Sequence, residues 1–291
     1  MTCLFELLRR MALAALILTC GLVLPGRAEQ GERYIVIGGA VAEIFVALEA
    51  DGEVVGVGGG IPLEGRFADV PVIRGFRLTS AENLLSLRPT KILIAGRQTT
   101  PGLIRQLDDV GMPVEVFDYT MTLDDVQARI MRLGDILNRR QEASKLAEKT
   151  AQEWGAVLAD FADADARPKG LFVLSGGGRG NLAAGHDTLV AQLIQWAGGE
   201  NLTTMIEGYK PLSQEAMAGF APEFILTNME GLEPAGNEVP LLSAPGIRLT
   251  PAYRHEALIA VPNGLLTEAG IRTPEAVRFL AGHMARLRAA Q

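Results

Sequence analysis

Residues Thr122–Phe161 run for forty positions without a proline, and Gly134 and Gly155 are their only glycines. Apolar residues at 123, 126, 130, 133, 137, 146 and 158 fall on one helical face. Thr122 followed by Asp124 and Asp125 suits a helix start. The pattern predicts one long helix, with Gly155 the place where it would break. Helices of that length are unusual inside a globular protein. The segment therefore divides the chain into an N-terminal and a C-terminal part.

Strands and helices alternate on both sides. Before it, the apolar runs Arg33–Ile37, Val54–Val57, Lys91–Ala95 and Val114–Phe117 read as strands. Helical spacing falls between them over Val41–Ala50 and Thr100–Val110, and Ser80 is an N-cap candidate for a helix stopped by Pro89. After it, Gly170–Leu174, Glu223–Thr227 and Leu258–Val261 read as strands. Helices are expected over Asp187–Ala197, with Asp187 or Thr188 capping, over Ser213–Phe220, and over Thr273–Leu287 with Pro274 in the first turn. Such alternation is the signature of α/β layers. The expected architecture is two Rossmann-like α/β lobes, residues 31–120 and 168–291, joined by one long helix within 121–167, with a ligand cleft between the lobes. The halves also echo one another: Ser80-Ala81-Glu82 and Ser213-Gln214-Glu215 each place a proline, Pro89 or Pro222, seven residues after the Glu and just before a strand.

Composition narrows the function classes. A net charge of −7 leaves no basic nucleic-acid footprint. The only two cysteines, Cys3 and Cys20, lie in the first 30 residues, so a disulfide framework or Cys-rich metal site is excluded beyond them. Arg9 and Arg10 precede the apolar run Met11–Leu24, which ends at Pro25-Gly26-Arg27-Ala28. This reads as a secretory signal peptide over residues 1–28, and the run is shorter than the roughly 20 residues a membrane span needs.

No G-x-S-x-G elbow and no HExxH is present. The Ser175–Gly180 run follows a strand but lacks the Lys-Ser/Thr ending of a phosphate loop. It reads better as a turn that lets a ligand approach backbone closely. The three histidines, His186, His255 and His283, are too widely spaced for a metal cluster. His186 and His255 stand in loops, where binding residues concentrate, although either alone more often serves structure. Arg74, Arg77, Arg97 and Arg179 fall at loops or element ends, where some could pair with an acidic ligand.

Several phrases together carry a family resemblance. They are Ile37–Ile44, Thr79–Thr90, Ala183–Thr188, Ala197–Asn201, Gly208–Ser213, Ala244–Gly246 with Thr250–His255, and Arg272–Pro274. Over residues 31–291 the chain resembles the periplasmic substrate-binding proteins of iron-complex and vitamin B12 ABC importers, and within them the haem-binding members. The resemblance implies a non-enzymatic, monomeric periplasmic protein. It would carry haem as transported ligand, with no catalytic cofactor, to an ABC permease in the inner membrane. Cleft residues implied by it are Gly38, Gly39, Arg74, Gly75, Phe76, Arg77, Arg97, Arg179, His186, Tyr253, Arg254 and His255. Glu82 and Glu215 match the acidic residues that dock on permease arginines.

One departure stands out. Haem-binding members carry an iron-ligating Tyr two residues before the Arg that matches Arg77, and Gly75 holds that place here. His186 is the preferred substitute ligand, since an imidazole nitrogen suits haem iron; Tyr209 and His255 rank below it. The alternatives are a ferric siderophore or cobalamin as cargo, and, from another class, a tetrapyrrole-processing enzyme such as a chelatase. A chelatase needs a His–Glu pair to take pyrrole protons, and His186 has only Asp187 beside it, His255 only Glu256.

Overall fold

The computed structural model describes residues 31–59, 65–73, 79–95, 99–161, 167–174, 181–232, 239, 241–242, 245–266 and 268–289. The expected leader, residues 1–28, lies outside them.

In the first lobe β1 (Tyr34–Ile37), β2 (Val54–Gly58), β3 (Val72–Ile73), β4 (Lys91–Ala95) and β5 (Val114–Phe117) form an all-parallel sheet in the order β3-β2-β1-β4-β5. Helices α1 (Gly39–Ala47), α2 (Ala81–Ser86) and α3 (Pro101–Asp109) are its crossovers. Both faces are covered. Ile35, Ile37, Ile92 and Ile94 pack with Leu84, Leu103 and Leu107 on one side. Val36 and Leu93 pack with Val41, Ile44 and Phe45 of α1 on the other. Strands buried on both faces read as unbroken apolar runs, which is why Tyr34–Ile37 and Ile92–Ala95 are conspicuous in the sequence.

The helical connection is real but not single. It comprises α4 (Leu123–Ile136) and α5 (Arg140–Phe161). Thr122 caps α4 by accepting from Asp125 N, and Asp125 answers in a full capping box. Those bonds hold the Asp125 carboxyl below its ordinary range, the Thr122 hydroxyl contributing most. The chain turns at Asn138, where φ is 54°, a conformation asparagine tolerates better than most residues. A Cβ on Gly134 would overlap that of Ala143, so this glycine lets the two helices fold closely together. The one long helix expected over Thr122–Phe161 is thus corrected: it breaks at residues 137–139, and Gly155 lies undisturbed within α5.

The second lobe contains β6 (Lys169–Leu174), β7 (Leu182–Ala184), α6 (Leu189–Trp196), β8 (Glu200–Asn201), β9 (Tyr209–Pro211), α7 (Gln214–Gly219), β10 (Phe224–Asn228), α8 (Met229–Leu232), α9 (Pro251–Arg254), β11 (Leu258–Val261) and α10 (Thr273–Ala289). Its sheet runs β11-β10-β6-β7-β9, with β8 also paired to β6. β10 is parallel to β6 and β11, whereas β7 is antiparallel to β6 and β9. Ser80, Thr188 and Ser213 cap their helices as expected from sequence, Thr188 rather than Asp187 taking the α6 position. The echo between halves is also structural: α2 and α7 are both six-residue helices capped by serine and leading into a central parallel strand. Among the described residues, no helix is long and apolar enough to cross a membrane.

Candidate functional site

In an open parallel sheet a ligand sits beyond the carboxyl ends of the strands, where the strand order reverses. In the first lobe that point lies between β1 and β4. Gly38 follows β1 there with φ 122°, and its amide donates to Gly58 O at 3.0 Å. A Cβ on Gly38 would run into Ala95 at the end of β4, so only glycine fits. Gly59 completes the arrangement at φ 76°, where a Cβ would stand 2.9 Å from Gly38 N. Gly39 opens α1 and is buried, yet a Cβ there would meet nothing within 4 Å. The carboxyl end of β1 is therefore a backbone-lined, open-sided floor.

The lobes meet beside this floor. Thr120, just past β5, exchanges two hydrogen bonds with Ala269, beyond β11: the Thr120 hydroxyl donates to Ala269 O at 2.8 Å, and Ala269 N donates to Thr120 O at 3.0 Å. A Cβ on Gly270 would lie 3.3 Å from Ala40 Cβ of α1. Arg129 of α4 pairs with Glu268 at 2.8 Å, and both are buried. Arg272 reaches Glu43 of α1 at 3.4 Å. The segments following the carboxyl ends of β5 and β11 are joined there.

Tyr209 on β9 stacks edge-on against Phe172, ring centroids 6.3 Å apart. Burial pushes its phenol up from the ordinary range, and Tyr119, beside Thr120 in the first lobe, adds to that rise. The two tyrosines, one from each lobe, are thus electrostatic neighbours, although Tyr209 keeps 40% exposure. His186 follows β7. Its backbone is fixed by bonds to Ile206 O and from Gly208 N, and its Nδ1 lies 3.1 Å from Asp187 Oδ2. β7 runs antiparallel to β6, with Leu182 opposite Leu174 and Ala183 opposite Val173, so His186 stands at the amino end of the second sheet, and strand polarity corrects the expectation that it lines the cleft. No cluster of three or more His, Cys, Asp or Glu is disposed to hold a metal among the described residues.

Tyr253, Arg254 and His255 do not join this group. β10 and β11 run parallel, with Ile225 opposite Leu258, and α9 immediately precedes β11. The three residues therefore stand at the amino end of the second sheet, where Ala252 N donates to Pro222 O. Arg254 turns onto Leu249 O at 3.0 Å. Strand polarity corrects the expectation that they line the cleft. Arg74, Gly75, Phe76, Arg77, Arg97, Arg179 and the Ser175–Gly180 loop lie outside the described residues. Glu82 and Glu215 both stand exposed in the first turns of α2 and α7. Sequence reading missed Tyr119, Arg129, Glu268 and the Glu43–Arg272 pair. The one available signal was Arg129, a charge set between the apolar positions 126 and 130.

This arrangement of two α/β lobes meeting at their strand ends across a helical connection defines a ligand-capturing class. The chain belongs to the periplasmic binding protein family, whose model matches residues 35–265. Solved structures agree. The periplasmic heme-binding protein RhuT from Roseiflexus sp. RS-1, in apo form, is 30% identical with a TM-score of 0.82, covering 88% of this chain and 99% of its own. The periplasmic heme-binding protein BhuT, in complex with two hemes, is 32% identical with a TM-score of 0.79, covering 88% and 98%. A periplasmic heme-binding protein from Pseudomonas aeruginosa is 28% identical with a TM-score of 0.79, covering 87% and 92%. Among curated proteins none matches. The family is a non-enzymatic transport component, which sets the chelatase alternative aside.

Proposed function

We propose that this protein captures haem in the cleft between its lobes and delivers it, as an exported monomer freed of its leader, to an ABC import permease in the inner membrane. The observation that carries this reading is likeness to heme-binding proteins over nearly their whole lengths at 30–32% identity. Apolar contact with the flat macrocycle supplies most of the affinity, and Arg77 orients the carboxylates. With Gly75 in place of the ligating tyrosine and both His186 and His255 at the amino end of the second sheet, Tyr209, the electrostatic neighbour of Tyr119 in the first lobe, takes the iron. Glu82 and Glu215 meet permease arginines. Ferric haem titration tests the cargo: a saturable Soret shift at micromolar haem is expected, and no shift alongside binding of cobalamin or a ferric siderophore would replace haem as the cargo. Tyr209→Phe should alter the spectrum of the complex, whereas a change confined to His186→Ala would move the ligand role to His186.

A further inference from the structure

The inter-lobe seam has an unusual composition. Arg129 donates through Nη2 to Asp118 O at 2.6 Å and to Glu268 Oε2 at 2.8 Å. Its Nε and Nη1 are buried and find no acceptor among the described residues. On the neighbouring pair, Arg272 is already engaged: Nε and Nη2 grip both Glu275 oxygens at 2.7 and 2.8 Å. Only Nη1 remains for Glu43, at a long 3.4 Å. Glu43 is thus enclosed by α1 and the 268–275 segment while its partner's charge is largely spent on Glu275.

We propose that residues 268–275 form an acid-tightened latch between the lobes, fastened onto Glu43, Thr120 and Arg129, which holds the lobes at one separation when Glu43 is neutral and loosens when it ionises. Two acids of the latch, and both of its arginines, are placed by geometry alone. Their titration gives the sign. Burial, outweighing Arg272, raises the Glu43 carboxyl from its ordinary 4.5 to about 7. The other groups facing it are Glu275 and Glu268, which push in the same direction. Burial raises Glu268 as well, against the pull of Arg129. In an opened latch both carboxyls meet water and return to their ordinary range. Closing therefore takes up protons, and acid favours the closed form. From Glu43 alone the closing equilibrium can change by up to on the order of 10²-fold between about pH 4.5 and pH 7. Neutralising one member of an ion pair should then strengthen the contact, the reverse of what a pair held by its charges would do. The latch joins the lobes whatever the cargo.

The test uses the full chain carrying Cys3→Ser and Cys20→Ser, with spin labels at Val110→Cys in the first lobe and Leu249→Cys in the second. Both labelled positions are well exposed. Pulsed dipolar spectroscopy without ligand should show a broad distance distribution near pH 8 that narrows severalfold near pH 5. Added Glu43→Gln should give the narrow distribution at both pH values. A wild-type distribution independent of pH overturns the latch. So does a Glu43→Gln protein that is broader than wild type near pH 8 while still melting cooperatively.

Discussion

Among the described residues, two joints between the lobes are built from opposite materials. One is apolar: α5 buries Ala143, Ala147, Trp154 and Val157, and Trp154 meets Trp196 of the second lobe edge to face, centroids 5.5 Å apart. The other is the seam of Arg129, Glu268, Glu43 and Arg272. Apolar burial is non-directional and carries no proton dependence of its own. A buried ion pair gives little net stability but loses much when one partner is removed. The first joint therefore supplies permanent attachment. The second supplies a contact whose strength depends on protonation and on fully matched partners.

Breaking the apolar joint should cost most. Trp154→Ala removes a ring only 3% exposed and should destabilise the protein by about 3–5 kcal/mol, read from denaturant unfolding, with little change in the slope of stability against pH. Arg129→Ala comes next. It leaves Glu268 buried without its cation and should cost about 3 kcal/mol. The replacement of both partners, Arg129→Met with Glu268→Leu, sharpens the contrast, since it removes both desolvated charges and should fall within about 1 kcal/mol of wild type. A double variant as unstable as the single one would show that the pair itself holds the lobes.

How much of this was legible depends on the range of the contacts involved. Strands β1, β4, β6, β10 and β11 were readable because residues on one chain segment carry the whole signal: unbroken apolar runs next to glycine, proline or a Ser/Thr cap. Gly38-Gly39 was readable for the same reason, a β run ending where helical spacing begins. The turn at Asn138 was hidden because no glycine or proline marks it, and the cue that was present, Gly155, occupies an ordinary helical position. β7, β8 and β9 are two or three residues long, too short for alternation to register. The seam was least readable, since Arg129 and Glu268 are separated by 139 positions and Glu43 and Arg272 by 229. Strand polarity, invisible until the sheet order was known, is what removes His186, Tyr253, Arg254 and His255 from the cleft.

The next effect is a pH dependence. Glu43 has its folded value raised above its ordinary one by burial. Its contribution to stability is therefore fully present below about pH 4.5 and is lost as pH rises through about 7. The loss should be on the order of 3 kcal/mol. Unfolding measured at several pH values should show it, and Glu43→Gln should flatten most of that slope, leaving the smaller part that comes from Glu268.

The smallest effect isolates the one element of the seam that does not titrate. Thr120 is buried, and its hydroxyl donates to Ala269 O at 2.8 Å while its own carbonyl accepts from Ala269 N. Thr120→Val keeps the shape and the backbone bond, and removes only the hydroxyl donor. The Ala269 carbonyl then loses a partner in a buried place, which should cost about 1 kcal/mol. Because neither group changes charge, the loss should be equal near pH 5 and near pH 8. Combined with Glu43→Gln, it should add to whatever that variant does at each pH if the two contacts act independently. A Thr120→Val cost that itself grows as Glu43 ionises would show instead that the hydroxyl bond and the acid open together, as parts of one cooperative contact.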